Sequence, residues 1–135
     1  MRILSILVLL IPFYSAHADI VLIGNVENEL KAMTKKEVRD VFLGRSRSLP
    51  NGRFALPLDV HELRSEFYSF LTSRSIEQIN AYWARIMFSG QALPPLKLPD
   101  SQAVIKVVTE NKGAIGYVDK NSIEKNNVRI LLILK

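Results

Sequence analysis

Arg64 and Ser65 stand at the start of a helical stripe, Leu63, Phe67, Phe70 and Leu71, directly after the alternating run Phe54, Leu56, Leu58. A strand that feeds a helix leaves backbone N–H groups and partial positive charge at the helix start, a place suited to an anion. A guanidinium and a hydroxyl in that first turn would add donors. The same residues also read as an ordinary strand–helix connection with Arg64 solvated on the outer face. Other chemistry is poorly supplied. There is no Cys to act as a nucleophile. His17 falls in the leader described below, which leaves His61 as the His of the remaining chain. No nucleophile elbow accompanies it. One His without Cys makes no transition-metal set, and there is no Gly-rich nucleotide loop. Asp59 and Glu62 are close in sequence and read as solvated turn carboxylates, with no partner to tune either for proton transfer. These residues predict a non-enzyme without metal or cofactor.

The elements that position Arg64 begin after a leader. Arg2 is followed by the apolar run Ile3 to Phe13 and then by Ala16-His17-Ala18, the small-x-small pattern of a cleavage site. Residues 1–18 read as a secretory signal peptide, with residues 19–135 as one exported domain; the alternative is an uncleaved N-terminal anchor. No second long apolar run follows, so the exported chain is not an integral membrane protein. An exported chain without disulfides fits the periplasm of a Gram-negative-type envelope better than a small disulfide-built scaffold. The net charge of +5 is too small to argue nucleic acid, and export argues against it too.

Ile20 to Ile23, ending at Gly24-Asn25, reads as a strand buried on both faces, the kind found in parallel sheets. Thr34 and Glu37 have capping-box spacing ahead of the stripe Val38, Val41 and Phe42, and Gly44 ends that helix. Arg45 to Arg53 is a basic loop with a Pro50-Asn51-Gly52 turn. Ser75 and Gln78 form a second capping box, and Ile76, Ile79, Trp83, Ile86 and Met87 mark the inner face of the next helix, where Trp83 reads as core. Gln91 to Pro99 reads as an extended connector with Pro94, Pro95 and Pro99. Asp100 or Ser101 caps a helix with Ala103, Val104, Val107 and Val108 facing in. Ala114 to Val118 is a strand whose Gly116 marks a close approach to the backbone. Val128 to Leu134 is a last strand. The order predicts an α/β lobe with a largely parallel central sheet flanked by helices.

With these pieces placed, the chain resembles the small periplasmic proteins related to the phosphate-binding component of the phosphate ABC transporter, a type II periplasmic-binding-protein fold. Ile20 to Asn25 resembles that family's first apolar strand ending in Asn. Met33-Thr34 through Val41-Phe42-Leu43-Gly44 resembles its "LT…IF-x-G" helix. Phe54 to Asp59 resembles the strand before its phosphate loop. Ala81 to Arg85, with Phe88, Gly90 and Pro94-Pro95, resembles a signature of the short subgroup. Gly113-Ala114-Ile115-Gly116-Tyr117-Val118 resembles its "GAIGYV" strand. The resemblance spans nearly all of residues 19–135, although a full transporter component is similar to two such lobes. The family's phosphate loop reads Arg-x-x-Gly-Ser-Gly-Thr; here Asp59 stands near the Arg, Glu62 at the Ser, Leu63 at a Gly and Arg64 at the Thr. Two carboxylates facing a phosphate would repel it by roughly 1–4 kcal/mol each.

The resemblance implies a solute-binding-like, non-enzymatic protein that meets phosphate or another small oxyanion weakly, in the company of an envelope or transporter protein. Asn25, Arg64 and Ser65 are the expected ligand-facing set, with Gly116 and Tyr117 shaping the same edge. The alternative is a protein-interaction module of the cell envelope that has lost small-molecule binding. It would dock through Arg45, Arg47 and Arg53 and the Pro-rich connector.

Overall fold

The computed structural model describes residues 9–12, 19–124 and 127–135; the expected leader lies for the most part outside them. Five strands form one sheet in the order β3-β2-β4-β1-β5. β1 (Ile20–Asn25) is buried at every position, as its unbroken apolar run predicts. It pairs antiparallel with β4 (Ala114–Asp119) and with β5 (Val128–Ile133). β2 (Leu56–Val60) runs parallel to β4 and to β3 (Leu96–Leu98). Four strands therefore share one direction and β1 alone opposes them. Burial on both faces made β1 read as a parallel strand; the burial comes from its place between two neighbours, which does not depend on direction.

The helices cover both faces. α4 (Ser101–Glu110) packs on β4 and β1. α1 (Lys35–Phe42), α2 (Arg64–Thr72) and α3 (Ile76–Phe88) lie one against the next, α1 on α2 and α2 on α3. The caps are those the sequence calls for. The Thr34 hydroxyl accepts from Glu37 N–H, Asp100 accepts from Ala103 N–H, and Ser75 with Gln78 closes a full capping box. Gly44 takes φ +71° at the end of α1, where an added Cβ would also meet Trp83 at 2.8 Å.

Three sequence expectations fail on packing. Phe54 is 72% exposed and precedes the strand. It bridges Ser48 across the basic loop, whereas β2 joins the sheet only from Leu56. Met87 is 52% exposed at the rim of a hollow in front of β2, and Ile79 and Trp83 are the buried residues of α3. The Pro-rich connector contains β3, a three-residue edge strand. An edge tolerates flanking prolines, and three residues are too few to show a strand period.

Candidate functional site

The parallel strands β2 and β4 end side by side, and the register sets what faces what. Leu58 pairs with Gly116, and Pro57 with Ile115. Asp59 and Tyr117 follow on the opposite face, toward α2. From Val60 the chain enters a one-turn 3-10 segment, His61–Leu63, and then α2. In α2, Arg64, Phe67, Tyr68 and Leu71 all point inward.

The result is a buried polar cluster. Asp59 is 1% exposed. Its Oδ1 accepts from the Tyr68 hydroxyl at 3.0 Å and from the Tyr117 hydroxyl at 3.1 Å. Its Oδ2 accepts from Arg64 Nε at 3.1 Å. Arg64 Nη1 donates onward to Asn80 Oδ1 of α3 at 2.5 Å, and the guanidinium lies 5.3 Å from the centre of the Tyr68 ring. Phe67 stacks on Tyr117 with ring centres 3.7 Å apart, and Phe42 meets Phe67 edge-on. Desolvation raises the Asp59 carboxyl above its ordinary value, offset in part by the Tyr68 hydrogen bond, the Arg64 charge and the Tyr117 hydrogen bond. Burial, and then the Asp59 charge, push both phenols well above the usual tyrosine value. Neither tyrosine is able to give up its proton near neutral pH. The cluster is a clamp of side-chain hydrogen bonds joining β2, α2, α3 and β4.

The expected site residues divide accordingly. Arg64 is 7% exposed and engages Asp59 and Asn80; it neither faces an open edge nor lies solvated. Asp59, expected on the surface facing a ligand, turns inward, because strand alternation at this register puts it beside Tyr117. Glu62 and His61 are exposed. Ser65 is exposed and lines a cleft of about 580 Å³ with Asp19, Ile20, Glu66, Phe70 and Lys135. This cleft lies at the carboxyl edge of the sheet, where Ile20 pairs with Asp119, the last residue of β4. Neither the 3-10 turn nor α2 has a side-chain cap at its start.

Asn25 lies at the other end of the sheet. It pairs with Val128 at the start of β5, and its amide donates to the carbonyls of Val108 and Thr109 at the end of α4. With β1 reversed, the end of that strand points away from the ends of β2 and β4. Gly116 sits mid-sheet under α4, where an added Cβ would meet Val104 at 2.5 Å. The close approach read from its sequence is helix packing. Tyr117 is fully buried, and its hydroxyl donates to Asp59 and toward the Val60 carbonyl inside the cluster, away from the open edge.

Arg45, Arg47 and Arg53 are all exposed on the loop before β2. Arg45 stands 3.9 Å from Asp40, and Arg47 donates to the Gln91 carbonyl at 3.3 Å. Tyr68 and Asn80 escaped the sequence reading. The series 64, 67, 68, 71 has the i, i+3, i+4, i+7 spacing of one helix face, a signal that places both Arg64 and Tyr68 on the buried stripe. Nothing comparable marks Asn80.

No family model and no curated protein matches the chain. Solved structures do. A protein from Clostridium perfringens with bound phosphate, described as a phosphate ABC transporter substrate-binding protein, superposes with TM-score 0.65 at 15% identity, over 84% of this chain and 44% of that one. An ABC-type phosphate transport receptor from Vibrio cholerae gives TM-score 0.64 at 15% identity, over 84% and 45%. PstS from Borrelia burgdorferi gives 0.58 at 16%, over 84% and 46%. The fold is thus that of the phosphate ABC transporter substrate-binding proteins, and the chain spans less than half the length of these structures. Among the described residues, no helix is long and apolar enough to cross a membrane.

Proposed function

We propose that this protein is a non-enzymatic solute-binding-like module of the periplasm, exported by residues 1–18, which meets phosphate or a similar oxyanion weakly at the carboxyl edge of its sheet. It would act with an envelope or transporter protein. The observation that carries the reading is exposed Ser65, in the first turn of α2, beside a cleft at the edge where open α/β sheets take ligands. The Ser65 hydroxyl would meet the anion, while the buried Arg64 holds the edge in shape. A one-sided cleft that also carries Asp19 and Glu66 favours weak binding.

Calorimetric titration with phosphate and then sulfate at low salt tests this. Saturable heat is expected, weakened by about fivefold or more in Ser65→Glu, since a carboxylate at contact distance repels an anion by roughly 1–4 kcal/mol. No heat at millimolar phosphate, or an unchanged Ser65→Glu, overturns the reading. A second reading, an interaction module of the envelope without a small-molecule ligand, is supported by the pairing of Arg64 with Asp59, which withdraws that guanidinium from the edge.

A further inference from the structure

A second concavity opens at the opposite end of the sheet from Ser65. It lies between the loop that enters β2 and the connector that enters β3, and has a volume of about 510 Å³. Its lining includes Val41, Ala55 and Ala92. Around it stand Phe54, Leu93, Met87 and Leu96, which are 72%, 83%, 52% and 52% exposed. These are large apolar side chains in water, gathered around one hollow, where a scattered few would need no explanation. The volume is in the range of ligand pockets.

Two further features say what would fill it. Arg47 is the one ionisable residue of the lining, with Arg45 and Arg53 exposed on the same loop. The rim therefore favours carboxylates. Leu96 also belongs to β3, the edge of the sheet, which pairs with β2 on one side only. An edge strand beside apolar hollows is the arrangement that accepts an added strand: main chain pairs with main chain, and alternate side chains enter the pockets. The unpaired edge of β3 beside the hollow favours a polypeptide over a lipid surface as the occupant.

From these features we propose that the groove between Phe54 and Leu93 binds an extended acidic segment of a partner protein, laid along β3 with its apolar side chains in the hollow and its carboxylates against Arg47. This inference rests on the interaction-module reading and is independent of anion binding at Ser65.

The test uses the full protein and a short fluorescent peptide of alternating leucine and glutamate, with a leucine–lysine peptide as its counterpart. Fluorescence anisotropy should show the glutamate peptide binding and the lysine peptide not. Leu93→Ser and Met87→Ser should each weaken binding about thirtyfold, the loss expected for a buried anchor. Arg47→Glu should reverse the charge preference. Phe88→Ser, at a residue 97% exposed and outside the lining, should leave binding unchanged. These substitutions are at exposed positions, and circular dichroism of each variant should match the parent. Binding of neither peptide, or of both equally, overturns the proposal. Capture by phosphatidylglycerol vesicles that Leu93→Ser abolishes would also overturn it, by making the patch a lipid contact. Loss of binding on reversing Arg45 and Arg53, with Leu93→Ser and Met87→Ser unaffected, would place docking on the loop and remove the groove, leaving the interaction-module reading standing.

Discussion

Replacing Arg64 by Met tests the buried clamp directly, because the aliphatic stem is kept while the charge is removed. The side chains of Arg64 and Asp59 are 9% and 1% exposed, so solvent screens the pair little. Removing one partner of a buried ion pair typically costs about 3–5 kcal/mol, since the remaining charge stays desolvated. At a urea dependence of ~1.5 kcal/mol per molar, the unfolding midpoint near neutral pH should fall by about 2–3 M. The pH dependence identifies the cause. Desolvation holds the Asp59 carboxyl above 3.8 in the folded protein, and the Arg64 charge is among the influences that lower it. A carboxyl raised on folding contributes stability that is fully present below its unfolded value and lost as pH rises through its folded value. Removing Arg64 lifts the folded value further, so the variant loses stability over a wider span of pH than the parent. The gap between the two should therefore open as pH rises. Near pH ~4 it should shrink to about 1–2 kcal/mol, the worth of the lost Asn80 hydrogen bond and packing. Urea titrations of both proteins at the two pH values measure it. An equal gap at both would show that the loss is one of packing and would refute the pairing argument.

Two further substitutions probe the frame around that clamp. Gly116→Ala places a methyl against Val104 and Leu58 and should destabilise by about 1–3 kcal/mol in urea unfolding; combining it with Val104→Ala should recover part of the loss, which a ligand-site role for Gly116 would not produce. Ser75→Ala removes the hydroxyl that accepts from Gln78 N–H at the start of α3 and should cost about 1 kcal/mol, read as a lowered thermal midpoint. An unchanged midpoint would mean that Gln78 alone holds that end.

Local chemistry was legible in the chain. Thr34, Ser75 and Asp100 begin helices because a side-chain oxygen accepts an N–H two or three residues on, an interaction complete within one turn. Gly44 ends α1 because the left-handed backbone there suits glycine. The unbroken run at Ile20 to Ile23 foretold burial on both faces, and the alternation of strands and helices foretold an α/β lobe. Placement across the fold was not legible. Asn25 looked like a ligand residue at a strand end, yet which end of the sheet it occupies depends on the direction of β1, fixed by pairing with Ala114–Asp119 and Val128–Ile133 far along the chain. Asp59 looked like a surface carboxylate, yet its partner Tyr117 is brought beside it by the β2–β4 register. Residue types and short spacings fix interactions within a turn or along a strand. Which distant residues share a face is decided when the sheet assembles, and that assembly put Arg64 inside, left Ser65 at the edge, and opened a groove at Phe54 and Leu93.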